Sequence, residues 1–150
     1  MRCVIATGAV YCRRPGFRSY ASFHPILNLQ DRPDLHVYLR NLEELMLRTV
    51  ADFGLTAGRK PGLTGIWIGD LKIGAIGVRV ARWITTHGFA LNVNTDLKYF
   101  EFIIPCGIRE HGVTSMQKEL NREIPVKAVH DSLSRHFEEI FERKLTGRTE

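Results

Sequence analysis

The chain has 150 residues, 44% hydrophobic and 25% charged, a composition that suits one globular domain with its own core. Its formal charge is +5, but Arg2, Arg13, Arg14 and Arg18 fall within the first 30 residues, which hold no acid, leaving 17 basic against 16 acidic residues elsewhere. So neutral a body offers no phosphate-tracking surface, which argues against nucleic-acid binding.

The acid-free start, with Ser19, Ser22, Tyr11 and Tyr20 among its arginines, reads as a mitochondrial transit peptide; a disordered or non-native leader is the alternative. Residues 1–24 are assigned to this leader and 25–150 to the domain. No apolar run approaches the ~20 residues that span a bilayer, so no membrane association is expected. Cys3, Cys12 and Cys106 form neither a CxxC pair nor a disulfide framework, which fits a reducing compartment. The six histidines (His24, His36, His87, His111, His130, His136) are scattered away from ligand spacing, and no metal is expected.

From Pro33 the apolar residues Leu35, Leu39, Leu42, Leu45, Met46, Val50 and Phe53 recur at helical spacing, with Asp34 as cap and Gly54 as stop. A Gly/Pro/Lys-rich loop spans 58–62. Short β-type runs follow at 65–68, 71–79, 82–86 and 89–94, with Gly69-Asp70 as a hairpin turn, predicting an antiparallel or mixed sheet. After Asp96 comes a short helix or turn, then Ile103-Ile104-Pro105-Cys106. A helix opened by Thr114 or Ser115 is next, with Thr114-x-x-Gln117 as a capping box. The last helix starts near Pro125, with Val126, Val129, Leu133, Phe137, Ile140, Phe141 and Leu145 on one side and Lys127, Asp131, Arg135 and Glu138 on the other.

The chemistry is concentrated between Lys72 and Cys106. A thiol reacts as thiolate, and its ordinary pKa of about 8.5 needs a neighbouring cation to bring it toward neutrality. A nearby lysine supplies that charge and, once deprotonated, a general base. Read singly, Cys106 is equally a buried structural thiol and Lys72 a solvated strand residue, and Gly74 and Gly77 equally mark a tightly packed sheet or a strand open to a ligand.

Together, Lys72-Ile73-Gly74-Ala75-Ile76-Gly77, Thr86-His87-Gly88-Phe89-Ala90-Leu91-Asn92-Val93, Pro105-Cys106-Gly107 and the Gly-Val-Thr-Ser run at 112–115 resemble the lipoyl(octanoyl) transferase family over roughly residues 25–120. The resemblance implies an α+β, biotin/lipoate ligase-like fold, a mixed sheet with flanking helices. It implies octanoyl transfer from octanoyl-acyl carrier protein to a lysine of lipoyl domains, those of the 2-oxoacid dehydrogenase complexes and the glycine cleavage H protein, by a monomer without cofactor. Cys106 would be the nucleophile and Lys72 its proton shuttle; Ala75, Ile76, Gly77, Gly88, Phe89 and Ala90 would bind the acyl substrate. A mitochondrial eukaryotic member is the form implied.

The sequence departs from the family upstream of Pro25-Ile26-Leu27-Asn28-Leu29. Neither an Arg-Gly-Gly block nor a Tyr-His-Gly-Pro-Gly-Gln loop is present, and His24 does not occupy the loop histidine's place. The fold is therefore expected to be N-terminally incomplete, with an exposed sheet edge. Two further readings stand beside the transferase: an ATP-dependent lipoate or biotin ligase, which needs no cysteine, and a non-catalytic protein that binds acyl carrier protein or lipoyl domains.

Overall fold

The computed structural model describes residues 4–6, 20–98 and 112–145. Asp34 caps the first helix, α1 (Leu35–Asp52), its carboxylate accepting from the Val37 amide at 3.0 Å. The helical periodicity read from the sequence puts Tyr38, Leu42, Leu45, Met46 and Val50 on its buried side. A second long helix, α3 (Val126–Phe141), lies against α1 and contributes Val129, Leu133 and Phe137 to the same core.

These helices cover one face of a six-stranded sheet in which β1 (Val4–Ala6), β2 (Tyr20–Ile26), β6 (Ile84–Asn92), β5 (Leu71–Ala81), β4 (Leu63–Ile68) and β3 (Gly58–Lys60) lie side by side, each antiparallel to its neighbours. Phe23 of β2 stacks on Phe89 of β6 at 5.7 Å and meets Phe137 of α3 at 5.4 Å, joining sheet to helix.

The structure corrects several expectations. Tyr20–His24 belong to β2, paired with β6 from Tyr20↔Asn92 to Phe23↔Phe89, so the sheet begins inside the stretch assigned to the leader. Ala21 and Phe23 are fully buried, and that burial outweighs the leader-like composition around them. The edge expected to stand bare is paired over three residues, because Val4–Ala6 lies along His24–Ile26. The runs at 82–86 and 89–94 are one strand, β6, and the chain turns at Arg82-Trp83 with φ of 50° and 62°. That hairpin geometry usually announces itself by Asn-Gly or Asp-Gly, and here it does not.

The loop read at 58–62 contains β3, which turns into β4 at Pro61-Gly62. Ser115 caps α2 (Met116–Leu120) by accepting from Lys118 N at 3.2 Å; the Thr114 hydroxyl donates to Glu119 and forms no box with Gln117. The start of α3 carries no side-chain cap, consistent with Pro125 at its first turn.

One carboxylate is buried between the layers. Glu43 of α1, 1% exposed, accepts from Arg40 (2.7 Å), from Arg59 Nε (3.0 Å) and, through Oε1, from the backbone N–H of Gly65 in β4 (3.1 Å). It ties the helix layer to the sheet strand beside Lys72.

Candidate active site

A regular strand sends Lys72, Gly74 and Ile76 to one face. Gly74 faces the helices, since a Cβ there would lie 2.7 Å from Met46 Sδ and 2.9 Å from Ile66 Cγ1. Lys72 escapes that face through a bulge: the register steps from Ile66↔Gly74 to Trp67↔Lys72, leaving Ile73 as the extra residue of β5. Ile73 is fully buried with the core. Lys72 shares the side of its cross-strand partner Trp67, and its Nζ lies 4.8 Å from the Trp67 ring centroid.

Across the bulge, Gly65 (φ 105°) passes so close to β5 that a Cβ would fall 2.4 Å from the Gly74 carbonyl oxygen. Only glycine permits that approach. Lys60 Nζ lies 5.1 Å from the same indole and is paired with Asp70 at the β4–β5 turn. The sequence reading missed Trp67 and the bulge, because neither is legible without strand register.

On its other side Lys72 is held by the chain downstream of Cys106. The Lys72 amide donates to the Gly112 carbonyl and the Thr114 amide donates to the Lys72 carbonyl, both at 3.0 Å, a parallel bridge centred on Lys72↔Val113. This segment enters the sheet where β6 leaves it after Leu91. Asn92 Nδ2 donates to the Thr114 carbonyl at 3.0 Å, and Gln117 N donates to the Val93 carbonyl at 2.8 Å. Asn94 clasps Ile124 with both ends of its amide, at 2.7 and 2.8 Å. Cys106 itself lies outside the described residues, six positions before Gly112.

The six residues read as acyl-binding divide between two faces. Ile76↔Phe89 is the helix-side pair: Phe89 is 3% exposed on Phe23, and Ile76 packs on the core. Ala75↔Ala90 and Gly77↔Gly88 occupy the opposite side, a lane of small residues running from Lys72 and Trp67 to the pair Arg79↔Thr86. Gly88 is pressed against β2, where a Cβ would lie 1.9 Å from the Phe23 carbonyl oxygen and 2.9 Å from Pro25 Cδ; at Gly77 a Cβ would meet nothing within 4 Å among the described residues. Ile76 and Phe89 can therefore serve this face only through their backbone.

His87 is exposed with φ of 63°, yet β6 runs through it, paired in sequence as Gly77↔Gly88, Val78↔His87 and Arg79↔Thr86. His24 titrates below its ordinary 6.5, first because burial disfavours its charged form and second because His87 lies near. A cavity of about 480 Å³ opens at the far end of the sheet, bounded by Leu27, Tyr38, Asn41, Phe141, Arg32 and Glu142. It contains none of the residues above, and the lane at Lys72 remains the candidate on chemical grounds. Among the described residues no cluster of three His, Cys, Asp or Glu side chains could hold a metal ion, and no helix is long and apolar enough to cross a membrane.

The family model for the lipoyl protein ligase A/B catalytic domain matches residues 19–138. The chain belongs to that family. The match opens at the start of β2, in agreement with the sheet. An octanoyltransferase from Caldanaerobacter subterraneus subsp. tengcongensis is 53% identical over 123 residues, covering 81% of this chain and 54% of the relative. One from Rubrobacter xylanophilus is 52% identical over 118 residues, with 78% and 53% covered. The chain thus spans about half the length of the curated relatives it matches.

Solved structures agree on the fold, which is the biotin/lipoate ligase-like α+β architecture expected. A lipoate-protein ligase A bound with ATP superposes with a TM-score of 0.70 at 20% identity, covering 87% of this chain and 56% of that one. A biotin protein ligase from Aquifex aeolicus in complex with biotin and ATP gives 0.67 at 14% identity, covering 82% and 50%. At those identities the likeness concerns the fold alone. Within the family frame, Lys72, Trp67 and the small-residue lane form the part of the candidate site that the described residues contain.

Proposed function

We propose that the chain transfers an octanoyl group from octanoyl-acyl carrier protein to a lysine of lipoyl domains, through a thioester on Cys106. The observation that carries this reading is the placement of Lys72. A bulge turns it onto the face of the Ala75/Gly77/Gly88/Ala90 lane, and the strand downstream of Cys106 is hydrogen-bonded along it. Octanoyltransferases at about half identity support the transferase over the ATP-dependent ligases, whose likeness lies in fold at 14–20% identity.

In the first half-reaction Lys72 accepts the Cys106 proton, and the thiolate adds to the donor thioester carbonyl. The bond from that carbonyl to the phosphopantetheine sulfur breaks, and the sulfur leaves as a thiol with the proton returned by Lys72. In the second, the ε-amine of the target lysine attacks the Cys106 thioester. An amide forms, Cys106 departs as thiolate, and the amine's surplus proton passes through Lys72 back to sulfur. Backbone N–H groups along the lane are suited to the oxyanion of each tetrahedral intermediate.

A non-catalytic protein that binds acyl carrier protein or lipoyl domains is the second reading, favoured by the absence of the Tyr-His-Gly-Pro-Gly-Gln loop upstream of Pro25. Intact-mass analysis after incubation with octanoyl-acyl carrier protein separates the two. The transferase reading expects a hydroxylamine-labile octanoyl adduct, lost in Cys106→Ser and slowed in Lys72→Ala. A folded wild-type chain that gains no adduct leaves the binding protein. The arginine-bearing, acid-free start supports delivery to mitochondria; a fusion of residues 1–30 to a fluorescent protein that stays cytosolic would remove that part of the proposal.

A further inference from the structure

The tip of the β5–β6 hairpin is built of residues that folding alone does not favour. Arg82 and Trp83 hold φ of 50° and 62°, the geometry of a tight hairpin turn that Asn-Gly or Asp-Gly adopts at least cost. Arginine and tryptophan each carry a Cβ and take it against steric preference. Neither gains burial in return: Arg82 is exposed, and Trp83 and its neighbour Ile84 stand 41% and 44% exposed. These side chains therefore serve something other than the stability of the turn.

Charge says what the tip meets. From Leu71 to Asn92 the hairpin carries Lys72, Arg79 and Arg82 and no Asp or Glu. Arg79 and Arg82 are exposed and form no ion pair among the described residues, whereas Arg40, Arg48, Arg59 and Arg135 are each paired with a carboxylate. The segment that braces the tip, the Leu29 amide donating to the Trp83 carbonyl at 2.8 Å, continues to Asp31 and Arg32, whose charges cancel. An exposed tryptophan between unpaired arginines suits an acidic protein surface, since these two residue types carry much of the binding energy of protein interfaces.

We infer that Arg79, Arg82, Trp83 and Ile84 at the hairpin tip form the docking surface for the acyl carrier protein, an acidic domain that brings the octanoyl group. The inference rests on the octanoyl-transfer reading above and adds where the donor sits. Arg79 lies six ladder steps from Lys72 with the bulge at Ile73 counted as one, roughly 20 Å at the rise of a strand. A phosphopantetheine arm of about 16 Å, met by an arginine side chain of about 6 Å, bridges that interval, so the donor domain stays back at the tip. An acceptor presents its amine on a lysine side chain of about 6 Å and must bring its own body up to Lys72.

The test titrates octanoyl-acyl carrier protein into the full chain carrying Cys106→Ser, so that bound donor is not consumed. Arg79→Glu with Arg82→Glu should raise Kd tenfold or more, and added salt should narrow the gap. Arg82→Asn with Trp83→Gly supplies the residues the turn prefers, so its melting temperature should rise while Kd also rises tenfold or more, a combination that a purely structural tip would not give. With Cys106 restored, both double variants should form adduct from octanoyl-pantetheine, which has no protein to dock, at the wild-type rate. An unchanged Kd, or an equal loss with octanoyl-pantetheine in folded variants, overturns the docking role while octanoyl transfer stands. So does a loss of affinity for a lipoyl domain or for phosphatidylglycerol vesicles in place of the carrier. No adduct from either donor on folded wild type overturns the transfer reading and this inference with it.

Discussion

Replacing Glu43 tests whether the helix layer holds strand β4, at the candidate site, through one buried carboxylate. In Glu43→Ala the Gly65 N–H loses its acceptor inside the protein, which costs about 1–3 kcal/mol. The two arginines return to water at little cost, because their side chains are already 56% and 35% exposed, so each ion pair is worth about 0.2–1 kcal/mol. The lost methylene and the small void add about 1 kcal/mol. The total is roughly 2–6 kcal/mol, a fall in the urea midpoint of about 1–3 M at a slope near 2 kcal/mol/M.

Glu43→Gln keeps an oxygen for Gly65 and forfeits only the charge, so its loss should stay near 1–2 kcal/mol. Urea unfolding at pH 7, followed by circular dichroism, measures both variants. A Glu43→Ala variant within 0.5 kcal/mol of wild type would refute the reasoning. So would a glutamine variant as damaged as the alanine one, since the Gly65 bond would then not carry the largest share.

Gly88→Ala should cost at least about 3 kcal/mol and shift the melting temperature accordingly, because the new methyl meets the Phe23 carbonyl of β2 and only backbone movement can relieve it. Trp67→Leu should leave the protein folded but raise the labelling of Lys72 by an amine-specific reagent several-fold, read by peptide mass spectrometry, as the indole face no longer covers its amine. Ser115→Ala should destabilise by about 1 kcal/mol in chemical denaturation through loss of the α2 cap.

Acid should destabilise the fold in two stages, the second at the α1–α3 contact. Burial holds His130 below its ordinary 6.5, opposed by Asp131, so the unfolded chain takes up its proton first; that stability is full above about 6.5 and is lost as pH falls toward the lowered value. Burial alone would raise Asp52, but hydrogen bonds from Ser132 (2.6 Å) and His136 (2.9 Å), with Arg135 nearby, outweigh it and hold the carboxyl below 3.8. Its contribution persists above that value and vanishes beneath it. Melting temperature against pH should fall less steeply between pH 7.5 and 5.5 in His130→Leu than in wild type; equal slopes would exclude His130 as a source.

How much of this was legible in the sequence depended on whether a local signal existed. Helix α1 was, because Asp34 and the Leu42, Leu45, Met46, Val50 stripe obey a period that neighbouring chain cannot alter. Strand β2 was not, since Tyr20-Ala-Ser-Phe-His reads as part of an arginine-rich start and only its pairing with β6 buries Ala21 and Phe23. The six residues read as acyl-binding were named as one group, but their division between faces needed register, which separates Ala75, Gly77, Gly88 and Ala90 from Ile76 and Phe89. The turn at Arg82-Trp83 carries none of the residues that usually mark it, so a run was read as beginning at Arg82, and His87-Gly88 divided β6 in the sequence because only pairing with Val78 and Gly77 carries the strand through them.

The bulge at Ile73 gives Lys72 an unusual genetic exposure. One residue inserted between Ile66 and Trp67 of β4 would give Ile73 a cross-strand partner, restore strict alternation to β5, and carry the Lys72 ammonium to the Gly74 side, into the space beside Met46 and Ile66. A comparison that scores residue identities would hardly register the change. An in-frame gain of one codon there would therefore be more damaging than many substitutions in the same strand, and homologous sequences can be screened for chemical competence by chain length across the hairpin from Ile66 to Gly74 as well as by composition.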